Sequence, residues 1–375
     1  MIPNRQITWF LFSLLLAAGC KEPFVPEINP EQTNFLVVEG FINAEGSTII
    51  RLSRTTQLKD TTKIKAELNA VVTVIGEDNS VYDIKENGQG VYSSDTFNLN
   101  KNQKYRLRIY TTGGKEYLSD FVPVKQTPAI DSLGWMSENN GVRIYINTHD
   151  QQNNTRYYKW EYEETWEIHS AYQSNYKYEN GIVLHRDPNE TSKLFYCWRS
   201  KNSTNILLGS SAQLNDDVIS MAPILFIPQA SEKISVRYSI LVKQYALDRQ
   251  AYDFFQLMKK NTESIGSIFD SQPSVITGNI VCVSNPAEKV IGYINASIVE
   301  QKRIFISRAE LPAWDYHFQC ESVFVENNPD SFAKYFVRHL YIPYEIKGFI
   351  QGYYASSSVC IECTQRGSNV KPAFW

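Results

Sequence analysis

From Asn34 onward this chain consists of short runs in which apolar and polar side chains alternate, each run closed by turn residues. A period of two sends neighbouring side chains to opposite faces of a strand, so a chain patterned this way builds sheets. Phe35-Leu36-Val37-Val38-Glu39-Gly40-Phe41-Ile42 turns at Asn43–Gly46 into Ser47-Thr48-Ile49-Ile50-Arg51-Leu52. Ala70–Ile75 turns at Gly76–Asn79 into Val81–Ile84, and Gly90–Ser93, Tyr105–Tyr110 and Glu116–Phe121 follow. About seven short strands at this spacing predict an immunoglobulin-like β-sandwich over residues 34–125.

Pro123, Pro128 and Asp131 mark a boundary, and residues 126–375 predict a second, larger β-rich domain. Strands are expected at Val142–Ile146, Asn205–Leu208, Lys233–Gln244, Val290–Val299 and Lys302–Ile306. In another, Tyr158, Trp160 and Tyr162 alternate with Lys159, Glu161 and Glu163. A tyrosine-rich hairpin is expected to continue that strand, spanning Glu164 to Tyr178. One inserted amphipathic helix is expected near 248–262. There Ala251, Phe254, Phe255 and Met258 recur at helical spacing, Asp248 can cap the start, and Lys259 and Lys260 suit the end. The fold class is therefore mainly β. Hydrophobic residues at 43% of 375 are enough to fill two cores, which excludes global disorder.

The first residues carry an address rather than structure. Arg5 precedes an apolar run from Ile7 that ends in Ala17, Ala18 and Gly19, and Cys20 follows at once. A positive start, a short apolar core and small residues before a cut make a secretory leader. The cysteine directly after them marks the bacterial lipoprotein form. Residues 1–19 are thus expected to be a cleaved signal peptide, and Cys20 the lipidation site. Residues 20–33, with Pro23, Pro26 and Pro30, are expected to be an extended tether. Each methylene of the acyl chains adds about 0.8 kcal/mol of anchoring. No later apolar stretch approaches the roughly 18 residues of a membrane helix. A net charge of −3 gives no reason to expect nucleic acid.

The other cysteines, Cys197, Cys282, Cys320, Cys360 and Cys363, are an odd set in a chain bound for an oxidising compartment. Disulfides are the expected use: Cys197 with Cys282, and Cys320 with Cys360 or Cys363. The competing reading is zinc held by His317, Cys320, Cys360 and Cys363, which the compartment disfavours; no metal and no cofactor are expected. Aromatics at Trp160, Trp166, Tyr172 and Tyr176 form a candidate binding surface if the hairpin is exposed. The alternative is that they fill a sheet core. The histidines His149, His169, His185, His317 and His339 form no HExxH pair, and neither a G-x-S-x-G elbow nor an S-x-x-K motif is present. The expectation is a protein without enzymatic activity.

Several segments in order resemble domain-of-unknown-function family 4249, a family of Bacteroidota lipoproteins. They are Cys20-Lys21-Glu22-Pro23-Phe24 leading to Leu36–Gly40, Tyr196-Cys197-Trp198, and Arg237–Ile240 with Tyr252–Phe255 and Lys259–Thr262. Gly278–Val283 with Asn285-Pro286 comes next, then Cys360–Cys363 followed by Arg366–Pro372 and Phe374-Trp375. The resemblance implies an outer-membrane lipoprotein often encoded beside TonB-dependent receptors, and it supplies no catalytic residues. The expected function is that of an accessory or ligand-capturing partner of such a receptor. The alternative is an independent surface module that binds glycan or peptide through exposed aromatics. Localisation is expected to be the outer membrane, lipid-anchored, with the periplasmic or cell-surface face left open.

Overall fold

The computed structural model describes residues 34–56, 64–263, 278–316 and 318–375. The expected leader, lipidation site Cys20 and tether, and His317, lie outside the described residues. The alternating runs become antiparallel ladders. β1 (Leu36–Asn43) pairs with β2 (Ser47–Arg54), where Thr48, Ile50 and Leu52 point inward while Ser47, Ile49 and Arg51 face water. β3 (Lys65–Ala66) flanks β2. β4 (Val71–Gly76), β5 (Val81–Glu86), β6 (Val91–Thr96), β7 (Lys104–Tyr110), β8 (Glu116–Ser119) and β9 (Val122–Lys125) follow. Their order in the sheet is β8-β7-β4-β5-β6-β2-β1, and β9 also pairs with β7. Leu36, Ile50, Val74, Tyr92, Leu107 and Tyr117 fill the interior.

The second unit faces two sheets against each other. β10 (Ile130–Glu138), β11 (Gly141–Asp150) and later β17 (Asp217–Pro228) form one. Between β11 and β17 the chain makes β12 (Tyr157–His169), β13 (Tyr176–Glu179), β14 (Ile182–His185), helix α1 (Pro188–Phe195), β15 (Tyr196–Asn202) and β16 (Leu207–Ser210). β18 (Arg237–Leu247) then pairs along β12, and α2 (Arg249–Glu263) follows it. Val142, Ile144 and Ile146 of the first sheet meet Tyr158, Trp160, Trp166, Tyr238 and Ile240 of the second.

Helix α2 forms where expected: the Asp248 carboxylate accepts from Ala251 N–H at 2.7 Å, and Ala251 and Phe254 are its buried positions. α1 was not expected; the helix is one of several, not one alone. Its start is coded by Asp187, whose side chain accepts from Asn189 N–H, and by Pro188 at the first position. At eight residues it is too short to declare a helical period.

The chain next returns to the first sheet. β19 (Ile280–Cys282) pairs with β8, and β20 (Val290–Ile291) and β21 (Ala296–Ser297) run parallel to β1. β21 also pairs with β9, so the path β7-β4-β5-β6-β2-β1-β21-β9 closes on β7 as a barrel-like sheet. A boundary at residue 125 assigns these returning strands to the second domain, whereas their hydrogen bonds are in the first sheet. Gly278, Asn279, Asn285 and Pro286 break the stretch into pieces of two or three strand residues, too short to show alternation. Close approach to β1 needs glycine on both sides. A Cβ on Gly40 (φ +139°) would lie 2.3 Å from Ile49 O, and one on Gly292 (φ +153°) 2.3 Å from Val38 O. Glu288 clips the return in place, accepting from Tyr117 Oη at 2.6 Å with Lys115 Nζ at 2.5 Å and Arg54 at 3.3 Å.

β22 (Val299–Ser307) then pairs with β18, completing the larger sheet in the order β15-β12-β18-β22. β23 (Val323–Glu326), β24 (Ile342–Lys347) and β25 (Gly352–Ser356) form a small antiparallel sheet in the order β23-β25-β24. With the β13–β14 hairpin and the helical turns of 329–338, it encloses a satellite core of Val325, Phe332, Phe336, Tyr353 and Ala355. The hairpin therefore spans 176–185 rather than Glu164–Tyr178, because β12 runs straight on to His169. Strand makes up 49% of the described residues and helix 14%, so the fold is mainly β.

The disulfides correct one expected pairing, Cys197 with Cys282, and include one of the two expected for Cys320. Cys197 of β15 bonds Cys363, with Cα atoms 5.7 Å apart, and Cys320 bonds Cys360 at 5.8 Å. Cys282 is buried and unpaired, opposite Tyr117 in the β8–β19 ladder. The Cys197–Cys282 bond fails because the return carries Cys282 into the first sheet. Zinc is excluded as a user of Cys320, Cys360 and Cys363, since those sulfurs are bonded to sulfur.

Candidate binding surface

Two of the four aromatics singled out for binding are core. Even-numbered residues of β12 turn inward, leaving Trp160 2% and Trp166 5% exposed. Trp160 lies parallel to Tyr158 at 6.0 Å and donates from its indole to Gln244 Oε1 at 2.8 Å. Trp166 is flanked by Lys233 and Arg199, each 5.4 Å from its ring. Neither can meet a ligand without opening the sandwich.

Tyr172 and Tyr176 leave the strand and join the satellite. The Cys360 carbonyl accepts from the N–H groups of Ala171 (2.8 Å) and Tyr172 (3.3 Å), and Tyr172 Oη donates to Cys320 O at 3.1 Å. Both halves of one disulfide thus hold this tyrosine. Its ring stacks on Tyr344 at 4.3 Å with planes 7° apart. Tyr344 sits at the β24 bulge between Pro343 and Glu345, where its hydroxyl meets Ser322 Oγ at 2.8 Å. Burial raises the pKa of that phenol, keeping it neutral. Tyr176 instead packs beside Tyr353 (6.1 Å) and His185 (5.2 Å), against the satellite core.

From Tyr344 the row continues to Tyr354 (6.3 Å) and on to Phe324 (5.9 Å). Alternation explains the surface: Val325, Tyr353 and Ala355 turn into the satellite core, so Phe324 and Tyr354 turn away from it. Lys347 Nζ lies 4.9 Å from the Phe324 ring and 5.8 Å from that of Tyr354. The hairpin tip next to Lys347 holds Phe349 fully exposed and Ile350 more than half exposed at φ +53°. A β-branched residue in the left-handed region is costly, and Asn327 braces it by donating to Ile350 O at 3.3 Å.

Chemically this surface offers the partly exposed rings of Phe324 and Tyr354, the Lys347 cation beside them and an apolar tip. Among the described residues no group of three or more His, Cys, Asp or Glu is arranged to hold a metal ion. Buried Asp217 takes hydrogen bonds from Tyr158 Oη at 2.8 Å and from Ser211 Oγ, but these three belong to the sandwich core. The row members Phe324, Tyr344, Tyr354 and Lys347 were missed in the sequence. The signal was the alternation of Val323-Phe324-Val325 and of Tyr353-Tyr354-Ala355.

Residues 21–303 match the family described as Domain of unknown function (DUF4249). No curated protein matches the chain in sequence. Among solved structures, the two fibronectin type-III domain segment from chicken tenascin is 10% identical. That match covers 57% of this chain and 91% of that one, with a TM-score of 0.17. A chitinase from Bacillus thuringiensis is also 10% identical, covering 53% of this chain and 29% of that one, at a TM-score of 0.16. Scores this low carry no argument about fold or activity.

Proposed function

The chain belongs to the domain-of-unknown-function family DUF4249, and from that premise we propose that it is a non-enzymatic lipoprotein of the outer membrane, anchored through Cys20, that serves as accessory partner of a TonB-dependent receptor. Its first unit is taken as an immunoglobulin-like sandwich over 34–125, supplemented by the strands of 280–297. The rest of 126–375 is taken as the domain that makes contact. The observation that carries the reading is the satellite surface. Phe324, Tyr354 and the Phe349–Ile350 tip stand together on a small unit fixed by a disulfide, and exposed aromatics of this kind anchor protein contacts. The test is purification of the C-terminally tagged chain from native outer membranes in mild detergent. A receptor in stoichiometric amount, lost on Phe349→Ser with Tyr354→Ala, is the expected result; a chain that elutes alone overturns it.

The second reading, a surface module for glycan or peptide, is favoured by the partly exposed rings of Phe324 and Tyr354, 5.9 Å apart, with Tyr172 stacked on buried Tyr344 at the other end of the row. Its binding site would be Tyr172, Tyr354 and Phe324, not Trp160 or Trp166. Saturable binding of soluble glycan by the isolated protein, abolished by Phe324→Ala, would support it.

A further inference from the structure

The last five residues, 371–375, lie on the outer face of the larger sheet, in a cradle made by three neighbouring strands. The Arg303 guanidinium of β22 sits 3.6 Å from the centre of the Phe374 ring. Arg237 of β18 lies 5.2 Å from the Trp375 ring and 4.4 Å from Phe305. Phe305 meets Trp375 edge-on at 5.7 Å. The Trp375 indole donates to Glu167 of β12 at 3.2 Å, and the other Glu167 oxygen is 2.8 Å from His169 Nε2. Ladder register fixes the spacing of these groups, with Ser239 opposite both Thr165 and Phe305, and Leu241 opposite Arg303.

The segment is held on the sheet mainly by its side chains. Trp198 and Ser368 exchange two backbone hydrogen bonds, at 2.7 and 2.9 Å. Beyond that bridge, the tail's backbone bonds among the described residues are internal. Val370 N–H reaches Ser368 Oγ at 3.2 Å, and Trp375 N–H reaches Pro372 O at 3.0 Å. Phe374 stays 40% exposed. The two arginines also have capacity left over. Among the described residues neither has a carboxylate within ion-pair distance, and Arg303 is met by Ser239 Oγ at 3.0 Å and a ring face. Burial shifts the Arg303 pKa downward and outweighs the attraction of the Glu163 carboxylate across the sheet.

We propose that this cradle is a docking site for an extended segment of a partner protein carrying two adjacent aromatic residues and a carboxylate, with the chain's own segment 371–375 as its resting occupant. The ring pair would take the faces of Arg303 and Arg237 as Phe374 and Trp375 do, while the carboxylate would supply the close ion pair that neither guanidinium makes among the described residues, where Glu163 and Glu167 act on them only from further off. The proposal rests on the reading of this protein as one that works through protein contact.

The test uses the full chain, the chain lacking 371–375, and a fluorescein-labelled synthetic peptide of sequence Lys-Pro-Ala-Phe-Trp followed by fluorescence anisotropy. The truncated chain should bind the peptide saturably and the full chain at least tenfold more weakly, because its own tail competes. Arg303→Gln in the truncated chain should weaken binding at least tenfold. A version with glutamate in place of the peptide's lysine should bind more tightly. A truncated chain with intact circular dichroism that ignores both peptides overturns the proposal, and so does equal binding by the full chain. Should truncation prevent folding, Phe374→Ala with Trp375→Ala in the full chain takes its place. If that variant also fails to fold, the tail is a structural staple and the proposal is wrong. A silent cradle with the receptor still co-purifying discards this site and keeps the accessory reading. A working cradle in a chain that elutes alone does the reverse.

Discussion

The barrel-like first sheet and the satellite solve the same problem in opposite ways. The first has a large aliphatic core, from Leu36 through Val74 and Leu107 to Ile294, closed by strands that return from 280–297, and its cysteine, Cys282, is unpaired. The satellite has a core of a few residues, mostly aromatic, and the Cys320–Cys360 bond stands at its base. A large core stabilises by burial alone, whereas a small one buries too little against its ordering entropy and needs a covalent staple. Carrying the staple, the satellite can leave its aromatics uncovered. Contact surface and intrinsic stability are thereby assigned to different parts of the chain.

The contrast breaks most sharply at Glu288. Glu288→Ala removes the acceptor of both Tyr117 and Lys115, while Arg54, itself 9% exposed, keeps Glu67 at 2.6 Å, and the loss of these charge-assisted hydrogen bonds should cost the first unit about 3–5 kcal/mol. Urea unfolding followed by hydrogen exchange in β1 and β8 would show it, and unchanged exchange there would mean the clip is decorative. Next in size is Cys320→Ser with Cys360→Ser, expected to cost about 2–4 kcal/mol. Limited proteolysis should then cut within 321–357 while the first sheet stays resistant; general degradation would show that the two parts are not separable.

Acid should discriminate between the two as well. Burial works to raise the Glu288 pKa, but Lys115, Tyr117 and Arg54 outweigh it and hold the carboxyl below its usual 4.5. A depressed folded pKa gives stability that is complete above 4.5 and is lost as pH falls through the folded value. Below pH 4.5 the first sheet should therefore lose protection before the disulfide-held satellite does, as read by exchange at pH 3 against pH 6. The smallest effect is expected from Cys282→Ala. It removes one buried sulfur and no crosslink, so a loss of about 1 kcal/mol is predicted from the thermal midpoint.

Much of the architecture was legible because alternation survives in a single sequence. Ser47–Leu52 and Tyr105–Tyr110 announce their faces, and Asp248 with Ala251, Phe254 and Met258 announces a helix. The return to the first sheet was hidden because β20 and β21 have two residues each, below the length at which any period can be read. The partner of Cys197 was hidden for the same reason, since Cys282 could be placed only by knowing which sheet it joins. Trp160 and Trp166 illustrate a different limit. An aromatic on a strand reads alike whether its face meets water or a second sheet, and that second sheet was supplied by β10, β11 and β17. The aromatic row depends on Phe324, Tyr354 and the buried Tyr344, which are distant in sequence and meet only through the pairings of β23, β24 and β25.

The late return also has a consequence for how the chain is made. β1 begins at Leu36, yet the strands that run beside it start at Val290. During vectorial emergence the first ring therefore stands open until most of the polypeptide is out, with one side of β1 and of β9 unpaired. An unpaired strand edge is a template for other chains. A nascent molecule of this kind carries that open edge for the whole of the interval, and the contacts that close the ring join residues more than 200 positions apart, Leu36 of β1 and Val290 of the return.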